Sequence, residues 1–246
     1  MTTLAKGLAV LGSFGERHAA MTLSEAAAAA DLSRATARRV LLTLEELGFV
    51  SRNGRSFSLT PRILELGFAY LSTQSWIDRA EPLMKELSHE LRESCSAAIL
   101  QGADIVYVAR MPAPHRLMST TIAVGTRLPA FHTSLGRVQL GFLDQAELGR
   151  RLGEARIVAY TPRTLTDPDG LVARIRSDHA QGYSIVDEEL EKGLRSVAVP
   201  VVTRGGDNVG AINLSMHTSR TTRNELKEKF LPRLDAVANQ ISRSLV

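Results

Sequence analysis

Between Ser33 and Thr60 the apolar pattern changes from helical to alternating within a few residues, and that change leaves few folds open. Ser33 suits a helix N-cap; Ala37, Val40, Leu41, Leu44 and Leu47 then form one apolar stripe, and Gly48 is placed to close the helix. The opposite face carries Ala35, Arg38 and Arg39, with Arg34 at its edge and Leu42 one turn further on. From Phe49 to Thr60 the residues alternate around Asn53-Gly54, a dipeptide favoured in two-residue type I′ hairpin turns. That register sets Arg52 opposite Arg55 and Val50 opposite Phe57. Like charges held face to face repel, so the arginine pair is read as a clamp for an anion.

Upstream, Leu4, Leu8, Leu11 and Phe14 recur at helical spacing, and Thr22 with Glu25 makes a capping-box pattern before an alanine-rich helix of about eight residues. Helix, helix, Ser-capped basic helix and basic hairpin is the order of a winged helix-turn-helix, in which the third helix enters the major groove of DNA and the wing touches the backbone. Ser33, Arg34 and Thr36 are candidates for phosphate or base-edge contacts, Arg38 or Arg39 for a guanine, and Arg52 and Arg55 for the backbone. An amphipathic helix with solvated arginines is the bland alternative. It does not account for the cap and the wing cations occurring together.

Thr60-Pro61 starts another helix, whose Ile63, Leu64, Leu66, Phe68 and Leu71 supply more apolar surface than a tether needs; dimerisation through it is the economical reading. From Trp76 onward the pattern is amphipathic helix, two short strands about Gly102-Ala103-Asp104, a strand over 117–125, a hairpin turning at 204–208 and a terminal helix adjusted at Pro232. The fold class expected is α+β. The chain divides into a DNA-binding domain at 1–60, a linker helix at 61–75 and an antiparallel-sheet sensor domain at 76–246 that encloses a small molecule.

A formal net charge of +4 favours a polyanionic partner only because the arginines cluster. The single cysteine, Cys95, excludes an internal disulfide, and with no apolar run of about 18 residues the reading is a cytoplasmic protein without a membrane span. Catalysis is not expected: Asp187, Glu188 and Glu189 are consecutive and point in different directions, whereas acid–base chemistry needs carboxylates held across a substrate. His115, His132, His179 and His217 lack ligand spacing, so neither a metal nor another cofactor is expected.

Three separated stretches resemble the IclR family of bacterial transcription regulators: "VGTRLPAFHTSLGRVQLGFL" at 124–143, "SIVDEELEKGLRSVAVPV" at 184–201 and "VGAINLSMHTSR" at 209–220. The resemblance implies a GAF-like effector domain and carries pocket positions onto Leu128, Ser134, Leu135, Leu194, Ser196, Asn213 and Ser215. The first stretch resembles the branch that controls aromatic-acid degradation in response to protocatechuate, 4-hydroxybenzoate or β-ketoadipate. A position often acidic in the family is Val186 here, and a cysteine of some members is Ser196, departures that argue against simply assigning a glyoxylate or pyruvate effector. Arg127, Arg137 and Arg195 are the candidates to neutralise a carboxylate. The expected molecule is a homodimer, or a dimer of dimers, on a palindromic operator, with a small carboxylate shifting its affinity. A regulator of another carbon-source pathway with a short-chain keto acid is the alternative, and an architectural DNA-binding protein is a weaker one.

Overall fold

The computed structural model describes residues 2–15, 18–113 and 122–245. The chain forms two compact units, 1–73 and 74–246.

In the first unit, helices α1 (Thr3–Gly12), α2 (Leu23–Ala29) and α3 (Arg34–Glu46) pack with a three-stranded antiparallel sheet of β1 (Ala20–Thr22), β2 (Val50–Asn53) and β3 (Ser56–Leu59), ordered β1-β3-β2. Local chemistry starts each helix: Thr22 and Glu25 close a reciprocal capping box on α2, and the Ser33 hydroxyl accepts the Thr36 amide at the start of α3. Gly48 ends the turn after α3 with φ of +77°, a conformation that costs glycine little. Ala37, Val40, Leu41 and Leu44 are buried as their spacing predicts, the last three against Val10, Met21, Ala26 and Phe57.

Several expectations need correction. Leu4 and Leu8 are exposed and Val10 is the buried residue of α1, because only the last turn of this short helix sits on the core; Leu11 and Phe14 are half-buried against it. Leu47 is exposed too, since the helix has ended before it. The wing turns on Gly54-Arg55 rather than Asn53-Gly54, which pairs Arg52 with Phe57, Asn53 with Ser56 and Val50 with Leu59. Of the two turn residues only Gly54 has positive φ, at +59°, the position a type II′ turn reserves for glycine. Helix α4 (Ile63–Leu71) begins two residues beyond Pro61, because the Thr60 hydroxyl donates to the Gly48 carbonyl at 2.5 Å and tethers the chain there first.

The second unit is built on one antiparallel sheet of six strands, β4 (Ser94–Gln101), β5 (Asp104–Met111), β6 (Arg127–Pro129), β7 (Ser184–Asp187), β8 (Leu194–Val202) and β9 (Asn208–His217), ordered β6-β5-β4-β9-β8-β7. Residues 122–126 are not strand, and the rest of the strand expected over 117–125 lies outside the described residues, as does His115. Because side chains alternate along a strand, the register sorts this sheet into two chemically different faces. Cys95, Ala97, Val197, Val199, Val201, Ile212, Leu214 and Met216 form an apolar face covered by α5 (Ser75–Leu91) and α9 (Leu231–Arg243). Gly210 lies on that side with the Trp76 ring so close that a Cβ would stand 2.6 Å from it. The other face carries Ser94, Ser96, Ala98, Ser184, Ser196, Ala198, Ala211, Asn213 and Ser215, and α6 (Ser134–Leu140) packs on it. Helices α7 (Gln145–Glu154) and α8 (Pro168–Gln181) complete the core on that side through Leu148, Leu171 and Ile175.

Candidate functional site

The basic surface of the first unit is built on α3 and the wing. Ser33 lies at the start of α3, its hydroxyl donating to Thr36 Oγ1 at 3.0 Å while accepting the Thr36 amide. Arg34, Arg38, Arg39 and Arg55 are exposed, and among the described residues none of them pairs with a carboxylate. Arg52 is also exposed, but its Nε donates to the Gly54 carbonyl at 3.1 Å and its guanidinium lies 5.7 Å from the centre of the Phe57 ring. Arg52 and Arg55 therefore do not face each other, and the argument from opposed like charges falls; Arg55 instead occupies the tip of the hairpin.

The arginines of α3 also separate. Arg39 and Thr36 line a groove against α1, together with Thr3, Lys6 and Gly7. Arg38 lies instead on the stripe of Arg34, Ala35 and the half-buried Leu42, away from α1.

In the second unit every residue of α6 is buried, so each polar side chain on it needs a partner. Ser134 donates to Ser196 on β8 at 3.0 Å, Ser196 stands opposite Ser215 on β9, and Asn213 Nδ2 donates to Ser215 at 3.2 Å. The four polar residues carried over from the family thus lie together on this face as two hydrogen-bonded pairs, Ser134 with Ser196 and Asn213 with Ser215, brought side by side by the register of β8 and β9. Leu135 is wholly buried beside them, and half-buried Leu128 packs on the same cluster. Leu194 lies on this face two residues before Ser196, opposite His217. Gln139 turns back onto the backbone, donating to the Leu135 carbonyl and accepting the Leu100 amide.

The three arginines expected to meet a carboxylate are already engaged. Arg137, fully buried, donates to both oxygens of Glu189 at 2.8 and 2.5 Å and to the Phe131 carbonyl at 2.7 Å. Arg195 holds Asp187 through two contacts and the Thr221 carbonyl through a third. Arg127 pairs with Asp104 at the surface and donates to Gln101. Glu188 completes the acidic run by pairing with Arg163 at 2.6 Å and accepting the Gly193 amide. The three consecutive carboxylates each take a different arginine and present no paired acid and base to a substrate.

His132 is buried with both ring nitrogens unpartnered among the described residues, its ring set edge-on to Tyr160 at 5.5 Å. Burial, aided by the charge of Arg137, holds its pKa below the ordinary 6.5. Its contribution to stability is therefore complete above pH 6.5 and is lost as the pH falls toward the lowered value, where the unfolded chain binds a proton the folded one does not. We predict that the melting temperature of the protein falls on acidification from about pH 8 to about pH 5, and that His132→Phe reduces this fall. Equal falls in the two proteins would exclude His132 as a source.

Cys95 is buried on the apolar face of the sheet, where burial pushes its thiol pKa up and leaves it unreactive. Among the described residues there is no cluster of three metal-ligating side chains, and no helix is long and apolar enough to cross a membrane. Arg110 on β5 was not singled out in the sequence; it stands opposite Ser96 only because the β4–β5 register shifts between Ala97 and Ala98, whereas simple alternation from the turn would set it opposite Cys95 on the other face.

Residues 3–54 match the IclR helix-turn-helix domain and residues 68–243 match the bacterial transcriptional regulator IclR C-terminal family. Over its full length the chain is 43% identical to a Pca regulon regulatory protein of Pseudomonas putida, covering 84% of that protein. A solved IclR homolog from Microbacterium hydrocarbonoxydans, complexed with 4-hydroxybenzoate, has the same fold at 23% identity, with a TM-score of 0.85 over 99% of both chains. A solved inducer-binding domain of the PobR transcription factor from Acinetobacter, a double mutant complexed with 3-hydroxybenzoic acid, matches 66% of this chain and 95% of its own, at 28% identity and a TM-score of 0.62. The chain therefore belongs to the IclR family of bacterial transcriptional regulators, which bind DNA and an effector rather than catalyse a reaction.

Proposed function

We propose that this regulator reads its operator with α3 and answers to an aromatic acid bound on the α6 face of its second unit. The observation that carries the DNA half is the set of exposed arginines on a Ser-capped helix and its wing, unneutralised by any carboxylate among the described residues. Arg38, on the outward stripe, reads a base edge; Ser33, Arg34, Thr36 and Arg39 hold the flanking backbone, and Arg55 at the wing tip touches a phosphate while Arg52 supports the wing. Leu64, Leu66 and Phe68 on α4 are more than half exposed, an apolar surface that a second copy of the chain would cover. Two-fold symmetry of a homodimer, or of each pair in a dimer of dimers, then makes the operator a palindrome.

The effector half rests on buried Ser134, Ser196 and Asn213 and half-buried Ser215, beside the apolar Leu128 and Leu135, with Leu194 at the edge of the group. An apolar wall with a few fixed polar groups suits a small organic acid. The hydroxybenzoates in the two related structures and the Pca regulon of the Pseudomonas relative favour an aromatic one. The effector acts in the cytoplasm by favouring one arrangement of the DNA-binding units.

Selection from a random duplex pool, followed by gel-shift titration, tests this reading. The selected sites should be palindromes; single half-sites would remove the dimer. Arg38→Ala should weaken binding roughly 5- to 150-fold, the loss of one base contact of ~1–3 kcal/mol, and more than Arg39→Ala does. Arg55→Ala should lower the salt slope by about one. Unchanged affinity in Arg38→Ala would defeat the groove assignment. Adding 4-hydroxybenzoate should shift operator affinity by about 5- to 150-fold; a shift with pyruvate alone would replace the aromatic effector by a short-chain one.

A further inference from the structure

One row of residues crosses five strands on the α6 face: Arg110 on β5 stands opposite Ser96 on β4, Ser96 opposite Asn213 on β9, Asn213 opposite Ala198 on β8, and Ala198 opposite Ser184 on β7. Two members of this row are unfinished. Arg110 is half-buried, and among the described residues its guanidinium has no hydrogen bond and no ion pair. Asn213 is only 3% exposed, and while its Nδ2 is bonded to Ser215, its Oδ1 has no partner among the described residues.

Both groups are costly as they stand. A guanidinium drawn out of water without an anion loses hydration that nothing replaces, and a buried acceptor without a donor does the same on a smaller scale. Burial holds the Arg110 pKa below its ordinary value, with only the weak acid Tyr107 nearby to oppose this; burial raises the Tyr107 phenol to about 12, so it stays neutral. The other arginines reaching the interior of this unit are satisfied: Arg137 by Glu189, Arg195 by Asp187, and Arg176 by the Gly141 and Leu143 carbonyls. Arg110 is the exception, and it is neither on the outer surface nor among the residues that the family resemblance supplied.

The spacing suits one ligand. Arg110 and Asn213 are two strands apart, roughly 10 Å between backbones at ~4.8 Å per strand. Between and beside them the face carries only small side chains, Ser96, Ala98, Ala198 and Ala211, with the Tyr107 ring one row away opposite Ala98. These small side chains are buried under α6, so a flat ring with one polar end toward each unfinished group would enter between the helix and the sheet.

We propose that Arg110 binds the carboxylate of a hydroxylated aromatic acid and that Asn213 Oδ1 accepts the proton of its ring hydroxyl, so that the sheet selects for both groups at once. This rests on the aromatic-acid reading given above and adds to it the residues that would set orientation and selectivity. An acceptor with no donor of its own favours a ligand bearing a hydroxyl over one lacking it, because the unsubstituted acid leaves Oδ1 orphaned.

Calorimetric titration of the full-length protein with 4-hydroxybenzoate, benzoate and 4-hydroxybenzamide tests the assignment. The wild type should bind 4-hydroxybenzoate most tightly. Arg110→Gln should weaken 4-hydroxybenzoate at least about tenfold, the loss of one charge-assisted contact, and leave the uncharged amide unchanged. Asn213→Ala should bring 4-hydroxybenzoate down to the level of benzoate and leave benzoate itself unchanged. Because the unliganded protein gains nothing from an unpaired Arg110, the melting temperature of apo Arg110→Gln should equal or exceed that of the wild type. A lower melting temperature, or equal losses for acid and amide, would make Arg110 structural and overturn its assignment alone. Wild-type protein that binds none of the three compounds would overturn the aromatic-acid reading and this assignment together.

Discussion

Gly136→Ala is expected to unfold the second unit or to cost it about 4–5 kcal/mol, the range in which single substitutions become exceptional. Gly136 lies in the first turn of α6, where a Cβ would stand 2.2 Å from the Ala130 carbonyl oxygen and 2.3 Å from its Cα. Neither atom is a side-chain end that could swing away. Ala130 is fully buried, in a short 3-10 turn at 130–132 that leads into α6, and the Gly136 amide is itself bound by the Thr133 hydroxyl at 3.1 Å. Overpacking ordinarily costs about 1–3 kcal/mol because neighbours adjust; here the turn and the helix would have to separate. Urea unfolding of the variant measures the loss. A midpoint within error of the wild type would show that the two segments can part cheaply.

The second large effect concerns the pair of Arg137 and Glu189. Arg137→Met should destabilise the protein by ~3–5 kcal/mol, because it strands a mostly buried carboxylate. The double substitution Arg137→Met with Glu189→Leu should recover much of that loss, since removing both charges removes the desolvation that the pair offsets. Recovery should be incomplete. Glu189 also accepts the Leu165 amide at 3.3 Å, Arg137 bonds the Phe131 carbonyl, and the 161–165 segment is tied to the same place by Thr161 and Thr164 on the Glu188 and Glu189 carbonyls. Denaturation midpoints of the two single variants and the double give the coupling directly. Additive losses would mean that the pair contributes nothing as a pair.

How much of this was legible in the sequence depended on whether the deciding interaction was local. The Thr22–Glu25 capping box, the Ser33 cap and the stripe of Ala37, Val40, Leu41 and Leu44 on α3 are set by residues three or four positions apart, and they appear where the spacing puts them. The hairpin of β8 and β9 turns at 203–207, where its glycines indicated, and the terminal helix is disturbed near Pro232 by a π-helical segment at Leu226–Phe230. The wing register was missed because Asn53-Gly54 and Gly54-Arg55 are both acceptable turns, and Phe57 and Val50 are buried in either; the choice lies with the pairing of β3 to β1, which local alternation does not reveal. The face of α1 was missed because its apolar residues outnumber the core positions available to so short a helix. In the second unit, the polar group of Ser134, Ser196, Asn213 and Ser215 could be indicated by family resemblance but not by periodicity. One of its links joins residues 62 positions apart, and sequence spacing carries no information about such distances. The engagement of Arg127, Arg137 and Arg195 was invisible for the same reason.

The division of the central sheet into a hydroxyl-bearing face and an aliphatic one has a consequence for how such a regulator can change. Along β8 the residues Ser196 and Ala198 face one side while Val197 and Val199 face the other, and β4 and β9 repeat the arrangement. On the proposed reading, recognition and cohesion are thus written on alternate letters of the same strands. With the inducer on that face as proposed, a lineage would exchange one inducer for another by point changes at Ser96, Ser196, Ala198 or Asn213 while the intervening residues keep the scaffold intact. An insertion or deletion of one residue in β8 or β9 has no such freedom, since it would exchange the two alphabets and lose both properties in a single step.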